Sequence, residues 1–175
     1  MSATLGVKMS LSPTPVPTQA PALPAGPPQE LLLSSTFLLK RLGWMITDRS
    51  HDALEPTGLT PQHYAVLSLL DEGMRETQGE IADTLGYDRS HLVGLLDELE
   101  EKNFVERRRD PADRRRQLVS LTPAGKDALA GLRAILKTVE KAFLAPLDTA
   151  QRQTLHTLLL ELTSHHDPRC AASRK

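Results

Sequence analysis

The chain has 175 residues, a length that suits one domain with a tail and leaves little room for two independent cores. Its 21 basic and 22 acidic side chains give a formal net charge of -1, which excludes a uniformly basic histone-like protein and a strongly acidic solvating chain. An aromatic content of 3% argues against stacking platforms for single-stranded nucleic acid, and the single cysteine excludes an intrachain disulfide and a multi-cysteine zinc site.

The two ends of the chain differ in composition from its middle. Seven of the 13 prolines lie within residues 13–28, so residues 1–28 are expected to form a disordered, Pro-rich tail. Residues 165–175 are short and polar and are expected to be flexible. We find no secretory signal and no apolar segment near the roughly 20 residues needed to cross a bilayer, so a cytoplasmic protein without membrane contact is expected.

Helix start signals and apolar spacing predict six helices between these tails. The first should end before Pro56, and Thr60 followed by Pro61 opens the second. Thr77 with Glu80 forms a capping-box pattern, Gly86 can end that helix, and an aspartate follows as the next cap. Two last helices begin after Thr122-Pro123 and at Asp148.

A change of period interrupts the helices. Residues 104–109 and 117–121 are rich in β-branched or aromatic residues, and turn formers separate them, which predicts a β-hairpin. The fold class is therefore mainly α with a small β-hairpin.

Two short helices joined at Gly86-Tyr87 match a helix-turn-helix, whose second helix offers its first turn to a DNA major groove. That turn carries Asp88, Arg89, Ser90 and His91, which suit base edges and phosphates, although a polar start to an ordinary helix fits this segment equally well. The hairpin shifts the balance, because residues 104–116 hold six arginines against three acidic residues. A local net charge of +3 beside a helix-turn-helix predicts a wing that contacts phosphates or a minor groove.

Four segments of the chain carry a family pattern: DRRRQLVSLTPAG at 113–125, LTPQHYAVL at 59–67, QGEIA at 78–82 and LVGLLDELE at 92–100. On these segments the chain resembles the MarR (multiple antibiotic resistance regulator) family of winged helix-turn-helix transcription regulators, whose wing-to-helix signature is the first of the four.

The resemblance implies a winged-helix domain at residues 29–164, with the winged helix-turn-helix at about 59–121 and dimerisation helices at about 30–55 and 123–164. It implies a homodimer that binds double-stranded DNA at a palindromic operator, usually as a repressor released by a small ligand. The second arginine of the family's wing motif, which enters the minor groove, is here Arg115, and Asp113 would brace the wing. The DNA-binding candidates are Thr77, Gln78, Asp88, Arg89, Ser90, His91, Gly94, Arg109, Arg114 and Arg115.

The same resemblance implies an effector pocket between the dimerisation helices and the winged helix. It directs attention to six residues of the first two helices: Trp44, Thr47, Arg49, His51, His63 and Tyr64. A tryptophan with a cation would suit an aromatic acid or a phenol, although each residue could equally belong to the core or to an interface.

Other functions remain open at this point. We find no phosphate-binding glycine loop, nucleophile elbow or HExxH motif, so we expect neither an enzyme nor a cofactor. A metal-sensing winged-helix protein is a second alternative, because His165, His166 and Asp167 lie near Cys170, although a frayed polar tail without metal is the favoured interpretation. A third is DNA binding without sequence preference, which salt and sequence dependence would distinguish.

Overall fold

A computed structural model describes residues 26–72, 76–111, 113–114 and 116–171 of the chain. In chain order the elements are α1 (Gln29–Leu32), α2 (Ser35–Leu54), a 3-10 turn (Glu55–Thr57), α3 (Pro61–Asp71), β1 (Glu76–Thr77), α4 (Gln78–Leu85), α5 (Arg89–Glu101), β2 (Val105–Arg109), β3 (Gln117–Leu121), α6 (Pro123–Phe143), α7 (Thr149–His166) and α8 (Pro168–Ala171). The mainly helical fold class with a small antiparallel sheet is confirmed.

The predicted caps begin the helices at the expected residues. The side chains of Thr60, Thr77, Asp88, Thr122 and Asp148 each accept a hydrogen bond from an amide in the first turn that follows. Gly86 ends α4 with a φ of 68°, a left-handed conformation that glycine adopts without a Cβ penalty. These bonds satisfy amides that the helix itself leaves without partners.

The first predicted helix is interrupted. The short α1 ends at Leu32, and α2 begins at Ser35 after a break at Leu33 and Ser34. The hydroxyl oxygen of Ser34 accepts a hydrogen bond from the amide of Phe37 at 3.3 Å, so a serine cap restarts the helix where apolar spacing alone predicted continuity.

The sheet has three strands in the order β1-β3-β2, all antiparallel. The hairpin pairs Val105 with Leu121 and Arg109 with Gln117. The sequence did not predict β1, because two residues are too few to show a period. This strand places the start of α4 directly beside the wing.

The core lies where α3, α4, α5, the sheet and α6 meet. Its fully buried side chains are Leu54, Val66, Leu67, Ile81, Leu92, Leu96, Leu99, Val105, Val119, Leu129 and Leu132. In contrast, α7 contains no buried residue. The winged helix-turn-helix therefore has its own core, whereas the leucines of α7 remain accessible.

Part of the tail expected at residues 165–175 is helical, and residues 172–175 of it lie outside the described residues. The helix α7 continues to His166, and α8 follows within residues 168–171. No helix within the described ranges is both long and apolar enough to span a membrane.

Candidate nucleic-acid interface

The start of α4 is held by a reciprocal capping box. The Thr77 hydroxyl accepts a bond from the Glu80 amide at 3.3 Å, and the Glu80 carboxylate accepts one from the Thr77 amide at 2.7 Å. The amide and the hydroxyl of Thr77 both donate to the Glu80 carboxylate and, followed by the nearby Arg116 guanidinium, lower the pKa of Glu80, which therefore stays ionised. Gln78 follows the cap at the first position of the helix, next to the wing strand β3.

The first turn of α5 presents its polar side chains to solvent. Asp88 caps it by accepting bonds from the amides of Ser90 at 2.8 Å and His91 at 3.3 Å, while the Ser90 hydroxyl also donates to the same carboxylate. The Ser90 side chain and these amides lower the pKa of Asp88. These bonds make Asp88 the N-cap of α5, and its predicted contact with DNA stays a prediction.

The residues that follow this cap are free to meet a ligand. The Arg89 side chain is 77% exposed, and its guanidinium lies 4.0 Å from the Asp83 carboxylate, a contact too exposed to hold it firmly. The His91 ring is exposed and packs edge-on against Tyr87, with centroids 5.9 Å apart. Gly94 lies one turn further, where an added Cβ would meet no atom within 4 Å. The side chains of Arg89 and His91 are thus exposed in the first turn of α5, and Gly94 leaves open space one turn further.

Arg107 has a different role from the rest of the wing. Its side chain is only 14% exposed and contacts two carboxylates of α5, those of Asp97 and Glu100, the latter at 3.1 Å from Nε. The contact holds β2 against α5. Asp97 and Glu100 of α5 therefore anchor the wing.

Two further wing arginines also pair with acidic residues. Arg108 contacts Glu106 on the same strand at 2.8 Å, and Arg116 contacts Glu80 of the α4 capping box at 2.8 Å. Arg116 thus attaches the second strand of the wing to α4, as Arg107 attaches the first strand to α5. Three of the wing arginines are thus paired with carboxylates, so the unpaired positive charge lies elsewhere in the wing.

Arg109 and Arg114 are exposed and form no ion pair with any residue that the structure describes. They lie at the end of β2 and in the turn that follows. The main-chain carbonyl of Asp113, the predicted wing brace, accepts a bond from the Arg116 amide at 2.9 Å within the same turn. Arg115, the predicted minor-groove residue, lies outside the described residues.

A separate pocket of about 660 Å³ lies between α2, α3, α6 and α7. Its lining is mostly apolar, with basic side chains at intervals: Ile46, Ser50, Tyr64, Arg133, Leu136, Lys137, Val139, Glu140, Phe143, Leu144, Arg152, Leu155, His156 and Leu159. Tyr64 is the one of the six predicted effector residues that lines it. The guanidinium of Arg49 lies 5.2 Å from the ring centroid of Phe143, which places Arg49 beside the pocket.

The other predicted effector residues are placed elsewhere. Trp44 is 70% exposed on α2, and the exposed Thr47 hydroxyl donates to the Gly43 carbonyl. His51 lines a shallow surface depression near the end of α2. His63 is buried and completes the Thr60 capping box through its ring nitrogen. Helical spacing alone could not show which face of α2 meets α6 and α7.

The pocket also contains residues that the sequence did not single out. Arg133 of α6 contacts Asp71 at the end of α3 at 2.9 Å. Arg152 donates to the carbonyls of Leu144 and Leu147, which fixes the turn between α6 and α7. Apolar spacing had predicted these two helices but singled out neither arginine. No group of three or more metal-ligating side chains is placed to hold an ion within residues 26–72, 76–111, 113–114 and 116–171.

Comparison with known proteins agrees with this geometry. The sequence model of the MarR family matches residues 57–116. A transcriptional regulatory protein for the hcr operon of Thauera aromatica is 35% identical over 105 residues, which are 60% of this chain and 63% of that protein. The chain thus spans slightly less than two thirds of that relative.

Two solved structures are similar over most of their length. CouR from Rhodococcus jostii RHA1, bound to p-coumaroyl-CoA, has a TM-score of 0.69 and 33% identity over 81% of this chain and 97% of that one. The transcriptional repressor CouR bound to a 23-mer DNA duplex has a TM-score of 0.71 and 32% identity over 77% and 95%. With this fold, this identity and this coverage, the chain belongs to the MarR family of DNA-binding, winged-helix transcriptional regulators.

Proposed function

We propose that this regulator is a homodimeric repressor that binds a palindromic operator and is released from it by a small aromatic ligand. It acts in the cytoplasm, binds double-stranded DNA and is not an enzyme. The observation that carries the proposal is the open first turn of α5, with Arg89 and His91 exposed beside a wing whose base is fixed by ion pairs.

The proposed DNA contacts are of two kinds, those to base edges and those to the phosphate backbone. Arg89 is long enough and free enough to donate two hydrogen bonds to a guanine edge, and Ser90 and His91 suit a neighbouring base or phosphate. Thr77 and Gln78 at the start of α4 suit the phosphate backbone, as helix N-termini do. Gly94 lets the backbone of α5 approach DNA closely, and Asp88 orders the turn.

The wing contributes through the arginines that are not engaged in ion pairs. Arg109 and Arg114 are exposed, and a guanidinium that enters a narrow minor groove meets strong negative potential. Arg115 is assigned to the same role through the family resemblance, and Asp113 to bracing the wing.

Accessible leucines support the homodimer. Leu158 is 54% exposed on α7 and Leu162 is 49% exposed, although their spacing is that of a buried stripe. Burying such a stripe against a second copy would remove apolar area from water at about 25 cal/mol per Å². We expect a Leu158→Glu variant to sediment as a monomer, with Gln153→Glu on the same helix as the control.

The pocket of about 660 Å³ supports a small-molecule effector. Its apolar walls suit an aromatic ring, and Arg133, Lys137 and His156 suit an acid or phenolate group on that ring. The similar CouR structure holds p-coumaroyl-CoA, an aromatic acyl ligand. We therefore propose an aromatic acid, its thioester or a phenol, contacted by Tyr64 with Arg49 beside it.

The decisive experiment is selection of bound duplexes from a random DNA pool with the purified protein at near-physiological salt. Recovery of an inverted repeat with half-sites about 34 Å apart supports a dimeric, sequence-specific regulator. Binding without enrichment would favour a non-specific DNA-binding protein. The selected duplex then reports release by candidate aromatic acids and phenols, whereas release by zinc alone would favour a metal sensor.

A further inference from the structure

The C-terminal end of the chain contacts the turn of the helix-turn-helix. Arg169 of α8 donates from Nη1 to the main-chain carbonyl of Asp83 at 3.4 Å. Its guanidinium lies against Gly86, where a Cβ added to the glycine would collide with it. A residue more than 80 positions away in sequence thus touches the joint between α4 and α5.

The contact occurs where α4 needs a partner. The last four carbonyls of a helix have no amide of their own helix to bind, and Asp83 is third from the end of α4. The carbonyl of Ala82 is already used by the amide of Tyr87 at 2.9 Å. A cation at a helix C-terminus also interacts favourably with the helix dipole. Arg169 therefore stabilises the end of α4 in two ways, through a bond to the Asp83 carbonyl and through its positive charge.

Arg169 is itself held in place. Nε and Nη2 of its guanidinium donate to the two oxygens of Asp167 at 2.8 and 2.9 Å, a two-pronged geometry that fixes the plane of the group. These bonds lower the pKa of the Asp167 carboxyl, so the pair stays charged. Asp167 ends α7, so the guanidinium has a fixed position relative to that helix.

Asp83 connects this contact to the DNA-reading turn. Its carbonyl faces Arg169, and its carboxylate lies 4.0 Å from the guanidinium of Arg89. The turn between the two helices sets where α5 begins and how its first residues point. A group that fixes the end of α4 therefore also fixes the backbone position from which α5 begins.

We propose that Arg169 is a positioning residue for the recognition helix, through which α7 sets the orientation of the turn at Gly86. It acts through the carbonyl of Asp83 and not through a contact with DNA. Leu155, His156 and Leu159 of α7 line the pocket, and Asp167 at the end of the same helix holds Arg169. A shift of α7 on ligand binding would therefore reach α5 through Arg169. The inference rests on DNA binding alone and not on operator symmetry or ligand release.

The test compares Arg169→Ala, Arg169→Lys and Asp167→Asn with a Lys141→Ala control, which also removes an exposed positive charge. In the free protein we expect faster amide exchange at residues 84–91 in the three variants and unchanged exchange in the control. Arg169→Lys should not restore the slow exchange of the wild type. An ammonium group lacks the planar guanidinium that binds both oxygens of Asp167 and also reaches the Asp83 carbonyl. Unchanged exchange in Arg169→Ala would overturn the proposal.

Binding to the selected duplex separates positioning from direct contact. We expect Arg169→Ala to weaken binding by about two- to fivefold, with the same dependence of log Kd on log salt as the wild type. A salt slope smaller by about one would mean that Arg169 holds a phosphate, which contradicts the proposal. If no duplex is enriched, the exchange measurement still decides, because it needs no DNA.

Discussion

Nε2 of the buried His63 on α3 lies 3.2 Å from a carboxylate oxygen of Glu98 on the recognition helix α5. The histidine uses its other ring nitrogen in the Thr60 capping box, accepting from the Thr60 amide at 3.1 Å. Glu98 is largely exposed, and the two atoms are close without the alignment of a hydrogen bond. The pair places a titratable group between α3 and α5.

Burial lowers the pKa of His63 from its ordinary value of 6.5, an effect that the Glu98 carboxylate opposes and that Lys102 and His91 reinforce. Because the folded state resists protonation more than the unfolded state does, the contribution of His63 to stability is complete above pH 6.5 and declines as the pH falls below it. We expect the wild type to lose more free energy of unfolding between pH 8 and pH 5.5 than His63→Gln. Denaturant titrations at these values provide the measurement, and parallel losses in both proteins would contradict it.

Arg107 is expected to act as a brace and not as a phosphate contact, because its guanidinium is largely buried against Asp97 and Glu100. Arg107→Met should lower the free energy of unfolding by about 1–3 kcal/mol, since two carboxylates of α5 lose a shared partner. DNA binding should weaken as the wing loses its fixed angle to α5. The slope of log Kd against log salt should stay the same.

Arg109→Ala is the matched comparison for this brace. It removes an exposed arginine of the same strand that has no ion pair among the described residues, so its salt slope should fall by about one per protomer and its stability should change little. Equal salt slopes for Arg107→Met and Arg109→Ala would contradict the assignment of Arg107 to bracing the wing and of Arg109 to contacting DNA.

How much of this arrangement follows from the sequence can be argued from single residues. The caps at Thr77, Asp88 and Thr122 are local chemistry, so spacing predicted them correctly. The ion pairs of Arg107 and Arg116 join residues 10 and 36 positions from their partners, and no local pattern carries such information. For the same reason two runs of three arginines predicted a basic wing but not which of the arginines form ion pairs.

The effector pocket shows the same limit. Tyr64 was found because it belongs to a family motif, whereas Arg133 and His156 depend on how α6 and α7 pack against α2 and α3. Trp44 attracted attention through its chemistry, yet its side chain faces solvent in the single chain. Helical periodicity identifies which residues share a face, but the partner of that face is a tertiary property.

The base of the wing requires glycine at position 125. A Cβ at Gly125 would lie well inside contact distance of the Phe104 carbonyl, which also accepts a bond from the Thr122 amide at 3.0 Å. Gly125→Ala should force β2 and α6 apart and lower the free energy of unfolding by about 1–3 kcal/mol. Gly131→Ala is the control, because an added Cβ there meets no atom within 4 Å and alanine favours the helix.

Calorimetry or denaturant unfolding of these two variants measures the difference. Equal stability of the two glycine variants would show that the wing base tolerates a side chain.

Arg115 is predicted to contact the minor groove on the family resemblance alone. Arg115→Ala should weaken binding to the selected duplex and reduce its salt slope while the dimer sediments unchanged. Arg108→Ala serves as the comparison, because Arg108 already pairs with Glu106 on its own strand. If Arg115→Ala binds as tightly as the wild type, the residue has no contact with the groove.

Arg89 is the residue for which base reading is predicted most specifically. Its side chain is exposed at the first position of α5, and only a weak contact with Asp83 holds it in the free protein. Arg89→Ala should weaken binding to the selected duplex by about 1–3 kcal/mol and relax the preference at one base position of each half-site, as the loss of a two-pronged bond to guanine would. Repeating the selection with the variant measures that preference directly. An equal loss of affinity on selected and random duplexes would instead assign Arg89 to the phosphate backbone, and base reading would then fall to Ser90 and His91.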